Sequence, residues 1–375
     1  MPTADSTSSS RAVAYFGRTR RDQLCLIAPG VNSHRLSCVA LDQVTSGMKN
    51  VEARVRIKTS LQGGGTAGRL EAEVATIQFI NENSDLPVPR VFAHALDDDD
   101  DDDDDDDNNN PPAAAYMPIE VLPDIVAMDA LDGYDVHRGV IPAEYRPSFY
   151  RSVAACHVQI ASLRMPKTGT SSPLPENIGG PFDTAAAFFE AWTDTVRFKW
   201  DRETIGRMTQ QRSPIPAERM VTIVEQFPSR IKAMASRLSA SHTHTNDGPF
   251  PLCHDDFTVT GIIDWEGACT VPWELGAFPE FLQAMPASFD LPHRYDALAE
   301  DGGQPLDGQV RQMWRERCEY VDIVRAAEDK DSLLSKCLAS ARSQALAYAY
   351  GAFASTGKLG FYDRLMDEVE RRDVQ

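Results

Sequence analysis

Hydrophobic and polar positions change period along the chain, and that change divides it. From about 24 to 58 the apolar residues come in short runs, LCLIA, RLSCVAL and VEARVRI. The last alternates, with Val51, Ala53, Val55 and Ile57 on one face and Glu52, Arg54, Arg56 and Lys58 on the other. That period of two predicts one half-buried strand. LQGGGTAG follows as a flexible loop. RLEAEVATIQFINEN (69–83) then repeats Leu70, Val74, Ile77 and Asn81 at helical spacing, with Ala75 and Ile80 widening the stripe. LPVPRVFAHA (86–95) is expected to be extended, because Pro87 and Pro89 disfavour helix. YMPIEVL (116–122) reads as another strand.

Beyond about 143 the period becomes helical. RPSFYRSVAACHVQIASLRM places Phe149, Val153, Cys156, Ile160 and Leu163 on one stripe, with His157 beside it as a packed or solvent-edge residue. A second helix begins at the capping pair Asp183–Thr184 and carries Phe188, Phe189, Trp192 and Val196. A third covers about 216–238, and 308–350 and 358–372 also read as helical. The prediction is α+β: a small β-rich part with one helix, then a larger helical part. Its divisions are a disordered tail (1–22), an N-terminal lobe (23–123) and a helical C-terminal lobe (124–375).

Composition adjusts this picture in a few places. The chain has 375 residues and is 42% hydrophobic, enough for a real core. Its 56 acidic and 37 basic side chains give a net charge of −19. Eleven consecutive aspartates, Asp97 to Asp107, supply much of that; without them the charge is −8. The run reads as a self-repelling surface insertion (97–110), with weak chelation of hard cations as the lesser alternative. An acidic chain does not suit nucleic acid or an anionic membrane as its main partner. No apolar stretch is long enough to span a bilayer, and the Ser/Arg-rich start lacks the apolar core of a secretory signal. The expected compartment is the cytoplasm. The seven cysteines are scattered and form no CxxC pair, which suits reduced thiols and neither a disulfide framework nor a zinc site. His242 and His244, in a polar loop, are expected to face water.

The chemistry concentrates in PFPLCHDDFTVTGIIDWEGACTVPWELGAF (249–278). FTVTGIID is an apolar strand pattern ending in Asp264. A carboxylate at the mouth of a buried strand is costly unless it meets a cation. Nucleotide-bound magnesium is the usual cation in phosphoryl-transfer sites. Trp273 and Glu274 read as structural.

The segment Ile263 to Leu275, IDWEGA followed by PWEL, resembles the metal-binding signature of the aminoglycoside phosphotransferase family, in its fungal small-molecule-kinase branch. Other pieces fall in that family's order over about residues 50–280. RVRIK resembles the strand whose basic residue touches nucleotide phosphates, here assigned to Arg56, with Arg54 and Lys58 as alternatives. EAEVATIQFI resembles the helix whose glutamate pairs with that base, here Glu73. LPVPRVFAHA is similar to the strand that follows. AAYMPIEVLPDI resembles the interlobe hinge, centred on Glu120. GGPFDTAAAFFEAW is similar to a helix of the same branch. The resemblance implies a protein-kinase-like two-lobed fold. It also implies ATP and magnesium as cofactors and a small-molecule hydroxyl as acceptor, of a class the sequence does not name.

The family pattern breaks at its centre. Its catalytic loop reads H-x-D, four residues, then asparagine. His254, Asp255 and Asp256 give H-x-D, but Gly261 stands at the asparagine's place. Seven residues separate Asp256 from Asp264. The loop, strand, turn and strand expected there need roughly twice that, so about ten residues after His254 are missing. His254 and Asp256 are then a remnant pair; the alternative keeps Asp256 as a displaced base. APGVNSHRLSC offers one glycine where the family has a phosphate loop, Pro118 interrupts the hinge strand, and Asp124 replaces a turn glycine. Three readings stay open. The first is an impaired ATP-dependent phosphotransferase, the second a pseudokinase or binding scaffold, the third a translated sequence lacking an exon piece near Cys253–Asp255.

Overall fold

The computed structural model describes residues 45–46, 50–52, 55–58, 66–91, 116–118, 145–169, 180–212, 215–238, 246–254, 265, 268–296, 303–353 and 357–371. The tail, the runs LCLIA and RLSCVAL, the aspartate run, Glu120, Asp124 and the FTVTGIID stretch with Asp256 and Asp264 lie outside them. The chain divides into two compact units. One takes Met1–Asp132 with Ser172–Pro175 and Thr260–Gly267; the other takes Gly133–Ser171, Glu176–Val259 and Ala268–Gln375.

The described part of the first unit is a four-stranded antiparallel sheet and one helix. The strands β1 (Thr45–Ser46), β2 (Asn50–Glu52), β3 (Val55–Lys58) and β4 (Tyr116–Pro118) lie in that order. VEARVRI is therefore not one strand. It reverses between Glu52 and Val55, so that Val51 faces Ile57 and Asn50 faces Lys58. Alternation has the same period before and after a tight reversal, so it could not reveal the turn. Pro118 closes β4 opposite Val55. Among the described residues β4 is the last strand of this sheet, an edge position where proline is tolerated.

Helix α1 (Thr66–Asn83) starts three residues earlier than its apolar stripe suggested and packs on β4. Leu70, Val74, Ile77 and Ile80 are buried as expected, but Ala75 and Asn81 are exposed. Glu73 takes a place on the buried face instead. After the helix, Leu86, Val88 and Pro89 are buried in an extended segment, as the two prolines require.

The second unit is mostly helical. Helix α2 (Arg146–Ser162) carries Pro147 in its first turn, where a missing N–H costs nothing. Its buried face is Tyr150, Val153, Ala154, Ile160 and Ala161; Phe149 and Cys156 are only half-buried. Helix α3 (Ala185–Thr195) begins as the sequence predicts, with the Thr184 hydroxyl accepting the Ala187 N–H at 3.1 Å. Helices α4 (Arg202–Arg212) and α5 (Ala217–Leu238) follow. The 308–350 stretch is three helices: α6 (Gly308–Ala327), α7 (Leu334–Ala339) and α8 (Ala341–Gly351). Asp307 and Ser340 cap α6 and α8 through backbone amides. Helix α9 (Tyr362–Arg371) ends the described chain.

Two cores hold this unit. In one, α3, α5, α8 and α9 surround Phe188, Phe189, Trp192, Phe227, Phe353 and Tyr362. Each such ring contributes about 1.5–3 kcal/mol by leaving water. In the other, α2 packs on α6 through Tyr150, Val153, Tyr320 and Val324, with Trp273 and Phe278 at its edge. A small sheet of β5 (Arg164–Met165), β6 (Phe250–Cys253) and β7 (Cys269–Thr270) runs antiparallel in that order. No helix among the described residues is long and apolar enough to cross a membrane.

Candidate functional site

The sheet β5–β6–β7 frames the stretch that carries the chemistry. Strand β6 is PFPLC without its first proline; Phe250 and Leu252 are buried and Cys253 is half-buried. It enters from a turn at Gly248, whose φ of +74° excludes most side chains. An added Cβ there would lie 3.0 Å from the Phe250 ring. Just before it, Asn246 ties the turn to α3, its carbonyl accepting the Ala185 N–H at 2.8 Å and its side-chain oxygen the Ala186 N–H at 3.2 Å. The first turn of a helix has donors to spare, so one asparagine fixes both elements.

Strand β7 is fastened equally closely. Thr168 Oγ1 donates to the Thr270 carbonyl at 2.7 Å, and Thr270 Oγ1 donates to the Lys167 carbonyl at 2.9 Å. Both threonines are buried, so each hydroxyl has the partner its burial demands. Beyond it, Trp273 Nε1 donates to the Pro249 carbonyl at 3.0 Å. The Arg164 guanidinium covers the Trp273 ring at 5.4 Å and pairs with Asp331 at 2.8 Å. Trp273 and Glu274 are both buried in a short 3-10 turn, Trp273–Leu275.

The register fixes a length. Leu252 faces Thr270 and Cys253 faces Cys269. The fifteen residues 254–268 therefore leave the sheet and return to adjacent positions. They include His254, Asp256 and Asp264. His254, half-buried, is the first residue out of β6. Asp256 and Asp264 lie outside the described residues. Trp265, next to Asp264, is 1% exposed, and residues 260–267 group with the first unit.

In the first unit, Arg56 sits on β3 opposite Met117. Its side chain, and with it the expected pairing with Glu73, lies outside the described residues. Glu73 is fully buried between Leu70, Val74 and Ile77 on α1. A carboxylate so placed stays charged only beside donors or a cation.

The second unit also holds groups that the sequence reading left aside. A cleft of about 650 Å³ is lined by Met285, Asp290, His293, Tyr295, Leu306 and Met313, among others. Asp290 accepts from Arg294 at 3.2 Å and from the Tyr295 hydroxyl at 3.3 Å. Burial, and then that carboxylate, push the Tyr295 phenol up to about 12. The density of acid, base and aromatic residues in DLPHRYD was the only available signal. His157, expected to be packed, has Nδ1 3.1 Å from the Tyr320 hydroxyl, and burial lowers its pKa to about 4.

Residues 50–273 match the family model described as APH, phosphotransferase enzyme family. The chain belongs to this phosphotransferase family. The match contains all of the candidate positions, Arg56, Glu73, Glu120, His254, Asp256 and Asp264, and ends at Trp273. Among solved structures, a candidate fructosamine-3-kinase from Haemophilus somnus 129PT is similar at a TM-score of 0.43 and 10% identity, covering 96% of this chain and 100% of that one. No curated protein matches the chain.

Proposed function

We propose that this phosphotransferase-family chain descends from enzymes that move the γ-phosphoryl of ATP to a hydroxyl of a small molecule, with magnesium, and that its own rate is impaired. Family membership supports the reaction class. One observation supports the impairment: fifteen residues span the interval between the partners Cys253 and Cys269. The family places a catalytic loop, a strand, a turn and a second strand in that interval. At about 3.3 Å per strand residue, fifteen residues are short for two strands and two turns.

In this reading Arg56 contacts the nucleotide phosphates, Glu73 orients Arg56, and Glu120 borders the adenine side of the hinge. Asp264 is the metal carboxylate, and His254 with Asp256 is the remnant of the catalytic pair. The donor chemistry fits magnesium, a hard cation that takes one or two carboxylates plus substrate phosphates. Trp265, next to Asp264 in sequence, is buried. Magnesium, when bound, supplies neutralising charge at the phosphates.

The test is ATP turnover with magnesium against a panel of small hydroxylated acceptors, run beside melting with and without nucleotide. Slow, metal-dependent turnover that collapses in Asp264→Ala supports an impaired enzyme. A nucleotide-induced rise in Tm without turnover supports a binding scaffold, since loss of a general base alone costs about 10²–10⁴-fold. Neither turnover nor a shift removes the nucleotide reading. The genomic sequence around codons 253–255 decides whether a coding piece was omitted.

A further inference from the structure

The register that measures the chemical segment also places two thiols together. Cys253 ends β6, Cys269 begins β7, and they are direct cross-strand partners. Partners on antiparallel strands project to the same face, and both of these pack on the same aromatic core. Cross-strand Cα atoms sit roughly 4.5 or 5.5 Å apart, depending on the hydrogen-bonding position, and both values lie inside the disulfide range of about 4.4–6.8 Å. Both cysteines are half-buried, so a small oxidant can reach them, whereas Cys337 is fully buried. Burial also raises the Cys337 thiol well above its usual range.

We propose that Cys253 and Cys269 form a reversible disulfide that closes the base of the 254–268 segment. This makes the pair a redox modification site. Its regulatory meaning rests on the phosphotransferase reading of that segment; the bond itself does not. The oxidant is a low-molecular-weight disulfide such as oxidised glutathione. One cysteine, as thiolate, attacks a glutathione sulfur, forming a mixed disulfide and releasing one glutathione thiolate. The second thiolate attacks the protein-bound sulfur, forms the Cys253–Cys269 bond and releases the other glutathione. The protein loses two protons and two electrons, and one glutathione disulfide becomes two thiols. Scattered cysteines in the sequence suggested only reduced thiols. The strand register pairs two of the seven.

The test equilibrates the full chain in glutathione buffers of rising oxidised fraction, without nucleotide, traps remaining thiols by alkylation, and maps peptides by mass. The expected result is a joined peptide pair holding Cys253 and Cys269, two hydrogens lighter than the separate peptides and absent after reductant. Cys253→Ser should leave Cys269 as a glutathione adduct, and Cys269→Ser the reverse. Exposed Cys318 reports that the oxidant acted. If Cys318 carries adduct while Cys253 and Cys269 both alkylate fully, or either joins a different cysteine, the proposal is overturned. If a serine variant fails to fold, the wild-type peptide map alone decides. Absence of ATP turnover would leave this result untouched.

Discussion

Two buried glutamates, one in each unit, are alike in burial and differ in the part the proposed function gives them. Glu316 on α6 is 9% exposed and accepts from Arg146 at 2.5 Å, Tyr150 at 2.8 Å and Gln312 at 2.9 Å. Three donors from α2 and α6 explain its burial completely, and it joins those helices. Glu73 on α1 is 0% exposed, on the helix face that also carries Leu70, Val74 and Ile77. The proposed function gives Glu73 a role and gives none to Glu316, which lies beyond the matched residues 50–273. Burial alone therefore does not mark a functional acid. What marks it is whether the fold needs the charge or the ligand does.

The largest expected effect breaks the structural member of the pair. Glu316→Ala leaves Arg146 charged and half-buried and the Tyr150 hydroxyl unpaired. Removing one partner of a buried pair costs about 3–5 kcal/mol, so urea unfolding should show a loss of that size. Glu316→Gln keeps an acceptor and should recover part of it. If Glu316→Ala unfolds within about 1 kcal/mol of wild type, the α2–α6 network is ornamental and the contrast with Glu73 collapses.

One turn further along α6, Tyr320 meets His157 of α2, so acid should attack the same interface from a second direction. The His157 pKa is lowered from 6.5 to about 4 because burial disfavours its charged form. Above pH 6.5 the histidine is neutral in both folded and unfolded chains and contributes no pH dependence. Between pH 6.5 and 4 the unfolded chain binds the proton and the folded chain does not, so stability falls as pH falls. The full effect, at about 1.4 kcal/mol per pKa unit, is about 3.5 kcal/mol. Stability measured across that window in wild type and His157→Phe should differ in slope, the variant being flatter. Parallel curves would mean that His157 titrates normally.

Sequence reading recovers what is local and misses what another element decides. Helix α3 is legible from Thr184 and the spacing of Phe188, Phe189 and Trp192, because a cap and an apolar stripe are properties of one segment. The stripe read on α2 holds at Val153, Ile160 and Leu163 and slips at its start, where Tyr150 is buried and Phe149 half-buried. Phe149 has the stronger hydrophobic claim, but Glu316, far along the chain, gives Tyr150 its hydroxyl partner inside. The reversal between β2 and β3 is silent because alternation survives it. The cleft around Asp290 has no motif, and the pairing of Cys253 with Cys269 is a matter of register, which sequence does not print. Of the candidate site, the family signature is legible in IDWEGA and PWEL.

The smallest effect sharpens the comparison most, because it separates a ligand's acid from the fold's. Glu73→Gln keeps the size and hydrogen-bonding reach of the side chain and removes its charge. If Glu73 serves to hold Arg56 toward phosphates, the unliganded variant should melt close to wild type. The nucleotide affinity should weaken by about tenfold, or about 1.4 kcal/mol, as read from the magnesium-ATP dependence of Tm. Glu316→Gln should give the inverse pattern: a lower unliganded Tm and an unchanged nucleotide increment. A Glu73→Gln variant that loses unliganded stability while keeping the full increment would place Glu73 beside Glu316 as a structural acid. Its match to the family's pairing glutamate would then be positional only.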